Sequence, residues 1–109
     1  MELRQIDRDL TEIVREARER FLEETKSNET KHRRVYQFDL HDLRVEAEKR
    51  HGYSIIDVVI SADFLLKEGY LILEKRNHDH DFEEMDLLNY DDTKHVKYGL
   101  MLGKNGIRN

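Results

Sequence analysis

The first quarter of the chain commits to one long amphipathic helix, and the remainder must supply the cover for it. Leu3, Ile6, Leu10, Ile13, Ala17 and Phe21 recur at spacings of three and four, with Val14 and Leu22 widening the stripe. That is the period of an α-helix with one apolar face, and it predicts a helix over residues 3–25. The other positions are mostly Arg and Glu, and pairs such as Glu16 with Arg20 sit one turn apart. The same three-four alternation fits a coiled-coil seam. Leu3, Ile6 and Leu10 are therefore the expected contacts of a homodimer.

A chain of 109 residues holds one domain, here residues 1–109, with little room for a second. Charged residues make up 39%, well above the quarter or so of an ordinary domain, so the surface is unusually ionic. The 38% that are hydrophobic still allow one compact core. There is no cysteine, which excludes disulfides, thiolate zinc sites and a cysteine nucleophile together. There is no proline, so helix ends must come from capping residues and glycines. No uncharged stretch approaches membrane-spanning length, and Met1-Glu2-Leu3-Arg4 lacks the apolar core of a signal peptide. The expectation is a cytoplasmic domain with no membrane partner.

Signals for the later elements are local. Ser27-Asn28-Glu29-Thr30 breaks the first helix, and Lys31-His32-Arg33-Arg34 reads as a basic linker. Val35-Tyr36-Gln37-Phe38 is short and β-prone. Asp39 is placed to cap a helix over Leu40–His51, buried through Leu40, Leu43 and Ala47, with Gly52 at its left-handed C-terminal cap. Ser54 opens another, with Asp57 three residues on as a capping-box partner. The segment 55–68 is rich in β-branched residues, and propensity alone would make it a strand. Its length, the cap at Ser54 and Gly69 as terminator predict a helix. Residues 70–76 read as a strand, and residues 95–102 alternate Val96, Tyr98, Leu100 and Leu102 against polar or small neighbours, as a half-buried strand does.

Charge is unevenly spread. Net charge is −5, yet seven of the 24 acidic residues lie between Asn77 and Asp92 with no Lys or Arg among them, leaving 17 against 19 basic residues elsewhere. This stretch is expected to be a loop joining two strands.

The order helix, short strand, helix, helix, strand, long loop, strand resembles the winged helix-turn-helix domain. The residues that carry the resemblance are Gly52-Tyr53-Ser54 between two helices, Leu65-Leu66-Lys67-Glu68-Gly69-Tyr70-Leu71 leading into the hairpin, and the stretch from Tyr98 to Ile107 with its glycine-containing exit. The resemblance covers most of the chain. It implies an α+β fold with a three-helix core and a small antiparallel wing sheet. It also implies a DNA-binding transcriptional regulator whose helix over 54–68 enters the major groove while the wing, 76–94, touches phosphates or the minor groove.

The residues themselves fit that role unevenly. On a helical wheel, Ile55, Val58, Val59, Ala62, Leu65 and Leu66 form the face that packs into the core. Ile56, Ile60 and Phe64 line the far side, flanked by Asp57, Ser61 and Glu68 on one edge and Asp63 and Lys67 on the other. No Arg, Asn or Gln lies on this helix, and those are the side chains that read base edges bidentately. The far stripe has three readings: packing beneath another element of the chain, a protein interface, or groove reading. Phosphate contacts must come from Lys31, Arg33, Arg34, Arg44, Lys49, Arg50, Lys75, Arg76, Lys94 and Lys97, in the linker, the second helix and the wing base. Two functions follow: a DNA-binding regulator using those bases, or a protein-interaction module using Ile56, Ile60 and Phe64.

Other constellations carry less. His78-Asp79-His80-Asp81 with Glu83 and Glu84 offers nitrogen and oxygen donors but no closed-site metal pattern, and a solvated acidic loop explains it. Asp39, His41 and Asp42 cluster at a helix start, where acids favour the dipole. There is no phosphate-binding glycine loop, nucleophile elbow or zinc-protease helix motif. The sequence predicts no cofactor, no metal and no catalysis.

Overall fold

The computed structural model describes residues 2–27, 36–76, 82–85 and 97–108. Helix α1 spans Gln5–Ser27, α2 Leu40–His51 and α3 Ile55–Lys67. Strands β1 (Leu71–Arg76), β2 (Phe82–Met85) and β3 (Lys97–Leu102) follow, and a single helical turn, α4 (Lys104–Arg108), ends the described chain. The class is α+β, with three helices ahead of a small antiparallel sheet.

The caps expected from sequence hold α2 and α3. Asp39 accepts from the Asp42 N–H at 2.9 Å while its own N–H donates to the Asp42 carboxylate at 3.1 Å, a reciprocal capping box. Gly52 closes α2 at φ 72°. Ser54 Oγ accepts from the Asp57 N–H at 3.2 Å at the start of α3. At its end the Tyr70 N–H reaches Leu65 O at 2.9 Å and the Gly69 N–H reaches Leu66 O at 3.3 Å. This is a Schellman closure, which requires Gly69 at φ 76°, where a side chain is strained. The β-branched run thus becomes a helix because both of its ends are chemically defined.

The core joins α1 (Leu10, Ile13, Val14), α2 (Leu40, Leu43, Ala47), α3 (Val58, Ala62, Leu65), β1 (Leu71, Leu73) and β3 (Tyr98, Leu100). α1 packs on α2, α3 and β3 and is the spine of the molecule. This corrects the expected dimer seam. Leu10 has no exposure, and Leu3 and Ile6 are partly buried against the same core, so this part of the α1 stripe is turned to its own chain, while Leu22 near the other end is 45% exposed.

Three further expectations change. Of the short strand at 35–38, the described part makes only one parallel bridge, Phe38 to Gly99, with the Leu100 N–H donating to Phe38 O at 2.6 Å. The acidic stretch 77–92 is not all loop: β2 forms within it, and the sheet order is β2-β1-β3. β2 sets Glu83 opposite Lys75 and Phe82 opposite Arg76, while β1 pairs Leu73 with Leu100 on its other side. The chain after β3 folds into α4, which docks on the α3–β1 turn through Asn105 N–H to Gly69 O at 3.0 Å and Asn105 Nδ2 to Glu68 O at 2.7 Å. A Cβ on Gly106 would lie 2.2 Å from Tyr70 O, so this approach is open only to glycine.

Candidate interaction face and its polar supports

The two sides of α3 have opposite characters. Val58, Ala62 and Leu65 face inward with no exposure. On the outer side Ile56 is 70% and Ile60 55% exposed. Phe64, the third member of the expected stripe, is only half-buried and packs against the core from its edge. Ile55, expected in the core, is instead 54% exposed. Asp57 stands exposed beside the isoleucines, and Lys67 pairs with Asp63 at 2.8 Å one turn away.

Ser61, expected on the flank of the outer stripe, is instead fully buried. Its hydroxyl donates to Asp7 Oδ1 at 2.6 Å. Asp7, at the start of α1, is itself 1% exposed and also accepts from the Arg4 N–H at 2.9 Å and from the Arg4 guanidinium at 3.2 Å. Burial pushes the Asp7 carboxyl up, but the bonds from Arg4 and Ser61 prevail and hold it below its ordinary value. All of these are donors to a carboxylate, so Ser61 is engaged as a hydrogen-bond donor. The cluster orients α3 on α1. Its sequence signal was the spacing Arg4-x-x-Asp7 at a helix start, the backward reach of a capping box.

A second polar cluster pins the α2–α3 turn. Tyr53 OH donates to Asp9 Oδ2 at 2.5 Å, Gln5 Nε2 donates to Asp9 Oδ1 at 2.9 Å, and the His51 and Tyr53 rings lie 5.3 Å apart. Burial raises the Asp9 carboxyl, but Tyr53 and Gln5 bring it below its usual value; the same bond raises the Tyr53 phenol. Tyr36 acts similarly at the other end of α1, donating to Leu100 O at 2.7 Å while its ring meets Phe21 edge-on at 5.4 Å.

The described basic residues of α2 do not converge. Lys31, Arg33, Arg34 and Lys94 lie outside the described residues. Arg44, Lys49 and Arg50 share α2, but at about 100° per residue they point in three directions. Arg50 is committed to Glu16 and to Glu46, the latter at 3.0 Å. Arg44 Nε is buried without an acceptor. Lys75 is half-buried on β1, and Arg76 and Lys97 are register partners at the open end of the β1–β3 pair.

A groove of about 490 Å³ runs between α1 and α2, lined by Phe21, Tyr36 and Phe38 together with Arg20, Asp42 and Glu46. Burial, with Asp39 close by, raises the Asp42 carboxyl, and Asp42 is already bound into the α2 cap. The acidic His78–Glu84 constellation lies largely outside the described residues. Among the described residues no three His, Cys, Asp or Glu side chains gather as a metal site, and no helix is long and apolar enough to cross a membrane. No protein-family model matches the chain, and neither a curated protein nor a solved structure does.

Proposed function

We propose that the chain is a non-enzymatic winged-helix protein-interaction module that works through the outer face of α3. Three helices followed by an antiparallel sheet support the winged-helix reading. One observation carries the choice of partner class: Ile56 and Ile60 stand exposed on the helix that a DNA-binding winged helix would place in the groove. A groove-reading helix needs bidentate side chains and tolerates few carboxylates beside phosphates. This one carries Asp57 and Asp63, and its single base, Lys67, is paired with Asp63. Clustered exposed apolar residues with a polar fringe are the ordinary mark of a protein contact.

The second reading is a DNA-binding transcriptional regulator. It is favoured by the element order and by Arg44 and Lys49, which form no ion pair among the described residues. Anisotropy of labelled random-sequence duplex DNA, titrated with the protein across a salt series, separates the two. The interaction module gives no binding even at low salt. Micromolar binding that weakens with a steep log-log salt slope would overturn it in favour of the regulator.

A further inference from the structure

We infer that Asn105-Gly106 is a site of spontaneous deamidation, that the reaction runs through an undocked α4, and that its product keeps α4 from docking again. The modification is independent of what the outer face of α3 binds.

Of the chain's five asparagines, only Asn105 is followed by glycine. The pairing matters because the attacking group is the backbone nitrogen of the next residue. The Gly106 nitrogen gives up its proton to solvent base and bonds to Asn105 Cγ. The Cγ–Nδ2 bond then breaks, ammonia leaves, and a cyclic succinimide remains. Water adds to one of the two ring carbonyls. Opening on the Cγ side gives aspartate; opening on the α-carbonyl side gives isoaspartate, with the backbone rerouted through the side chain. A side chain on the following residue would hinder ring closure, and glycine has none.

The docked fold restrains this reaction. Asn105 Nδ2 donates to Glu68 O at 2.7 Å and the Asn105 N–H to Gly69 O at 3.0 Å, so the leaving amide and the backbone beside it are both fixed. Gly106 is buried, away from solvent base. Yet α4 is readily released. A helix of five residues has little stability of its own. Besides Asn105, it is held by the Gly103 N–H to Tyr70 O at 2.8 Å and by the Arg15 guanidinium to Gly106 O at 3.0 Å. An element held by so few bonds opens locally while the rest stays folded.

The product does not fit back. An ionised aspartate side chain only accepts, so a carboxylate oxygen would replace the donor that stood 2.7 Å from the Glu68 carbonyl. Isoaspartate lengthens the backbone where Gly106 passes so near Tyr70 O that even a Cβ would lie 2.2 Å from it. Gly69, which Asn105 covers, closes α3, so the end of that helix loses its brace. Deamidation is then a one-way release of α4.

Incubation of the full chain for several days at mildly alkaline pH, followed by peptide mass mapping and amide hydrogen exchange, tests this. Asn105 should convert to aspartate and isoaspartate ahead of every other asparagine, and more slowly than in the urea-unfolded chain. Arg15→Met removes the clasp on Gly106 O but keeps an unbranched stem, and should speed conversion about fivefold. The converted protein, and Asn105→Asp made directly, should lose exchange protection at Gly103 and Ile107 while α1 stays protected. Asn105 left intact in the folded chain while the unfolded chain converts overturns the site. A rate unchanged by Arg15→Met, or equal in folded and unfolded chains, overturns the undocked route. Protection retained at Gly103 and Ile107 after conversion overturns the release.

Discussion

Ser61 and Ile60 are neighbours in the chain and opposites in environment. The serine is fully buried and the isoleucine is more than half exposed, the reverse of what their side chains prefer in isolation. The inversion at Ser61 is compensated, since its hydroxyl and the Asp7 carboxylate satisfy each other. The inversion at Ile60 has no compensation among the described residues. A buried polar group with a partner is a structural device, whereas an exposed apolar group without one points outward to something else.

The comparison can be broken at several points. The largest effect is expected at Asp7. Asp7→Ala leaves the Ser61 hydroxyl buried without an acceptor and releases Arg4, and should cost about 3 kcal/mol in urea unfolding. The ionisation itself is isolated by Asp7→Asn through pH. A carboxyl depressed in the fold contributes stability that is complete above its unfolded value, ordinarily 3.8, and is lost as pH falls through the folded one. Wild-type stability should therefore fall more steeply than that of Asp7→Asn as pH drops below about 5. Parallel curves would mean that the carboxylate's charge contributes nothing.

A smaller loss is expected at Ser61. Ser61→Ala removes one of several donors to Asp7 and should cost about 1–2 kcal/mol in the same assay. At Ile60 the effect should nearly vanish. Ile60→Ser should change stability by less than about 0.5 kcal/mol in the same assay. A cost comparable to that of a core truncation would show that Ile60 is covered within the chain, and the contrast with Ser61 would collapse.

The positions read well from sequence are those decided by near neighbours in the chain. Asp39 and Asp42 form a capping box across three residues, and Ser54 and Gly69 bracket a helix that β-propensity alone would have made a strand. β2 was hidden because Phe82-Glu83-Glu84-Met85 carries little strand preference of its own and exists by pairing with β1. α4 was hidden because a five-residue turn containing a glycine has little intrinsic helix stability. It is held by Gly69 and Tyr70, far away in sequence, and by Arg15, whose guanidinium donates to Gly106 O at 3.0 Å.

The candidate site divides along the same line. That α3 would carry isoleucines on a second face, beside Asp57 and without base-reading side chains, was visible in the spacing alone. Which face the molecule would cover was not. The stripe of α1 and the outer stripe of α3 look alike as periodic patterns, yet Leu10 ended in the core and Ile60 in solvent. Periodicity and capping act over three or four residues, so the sequence by itself determined α1, α2 and α3, the caps of the latter two and their apolar stripes. Coverage depends on which elements meet across the whole chain, and only tertiary packing decided that Asp7 and Ser61 would be buried together while Ile56 and Ile60 were left facing outward.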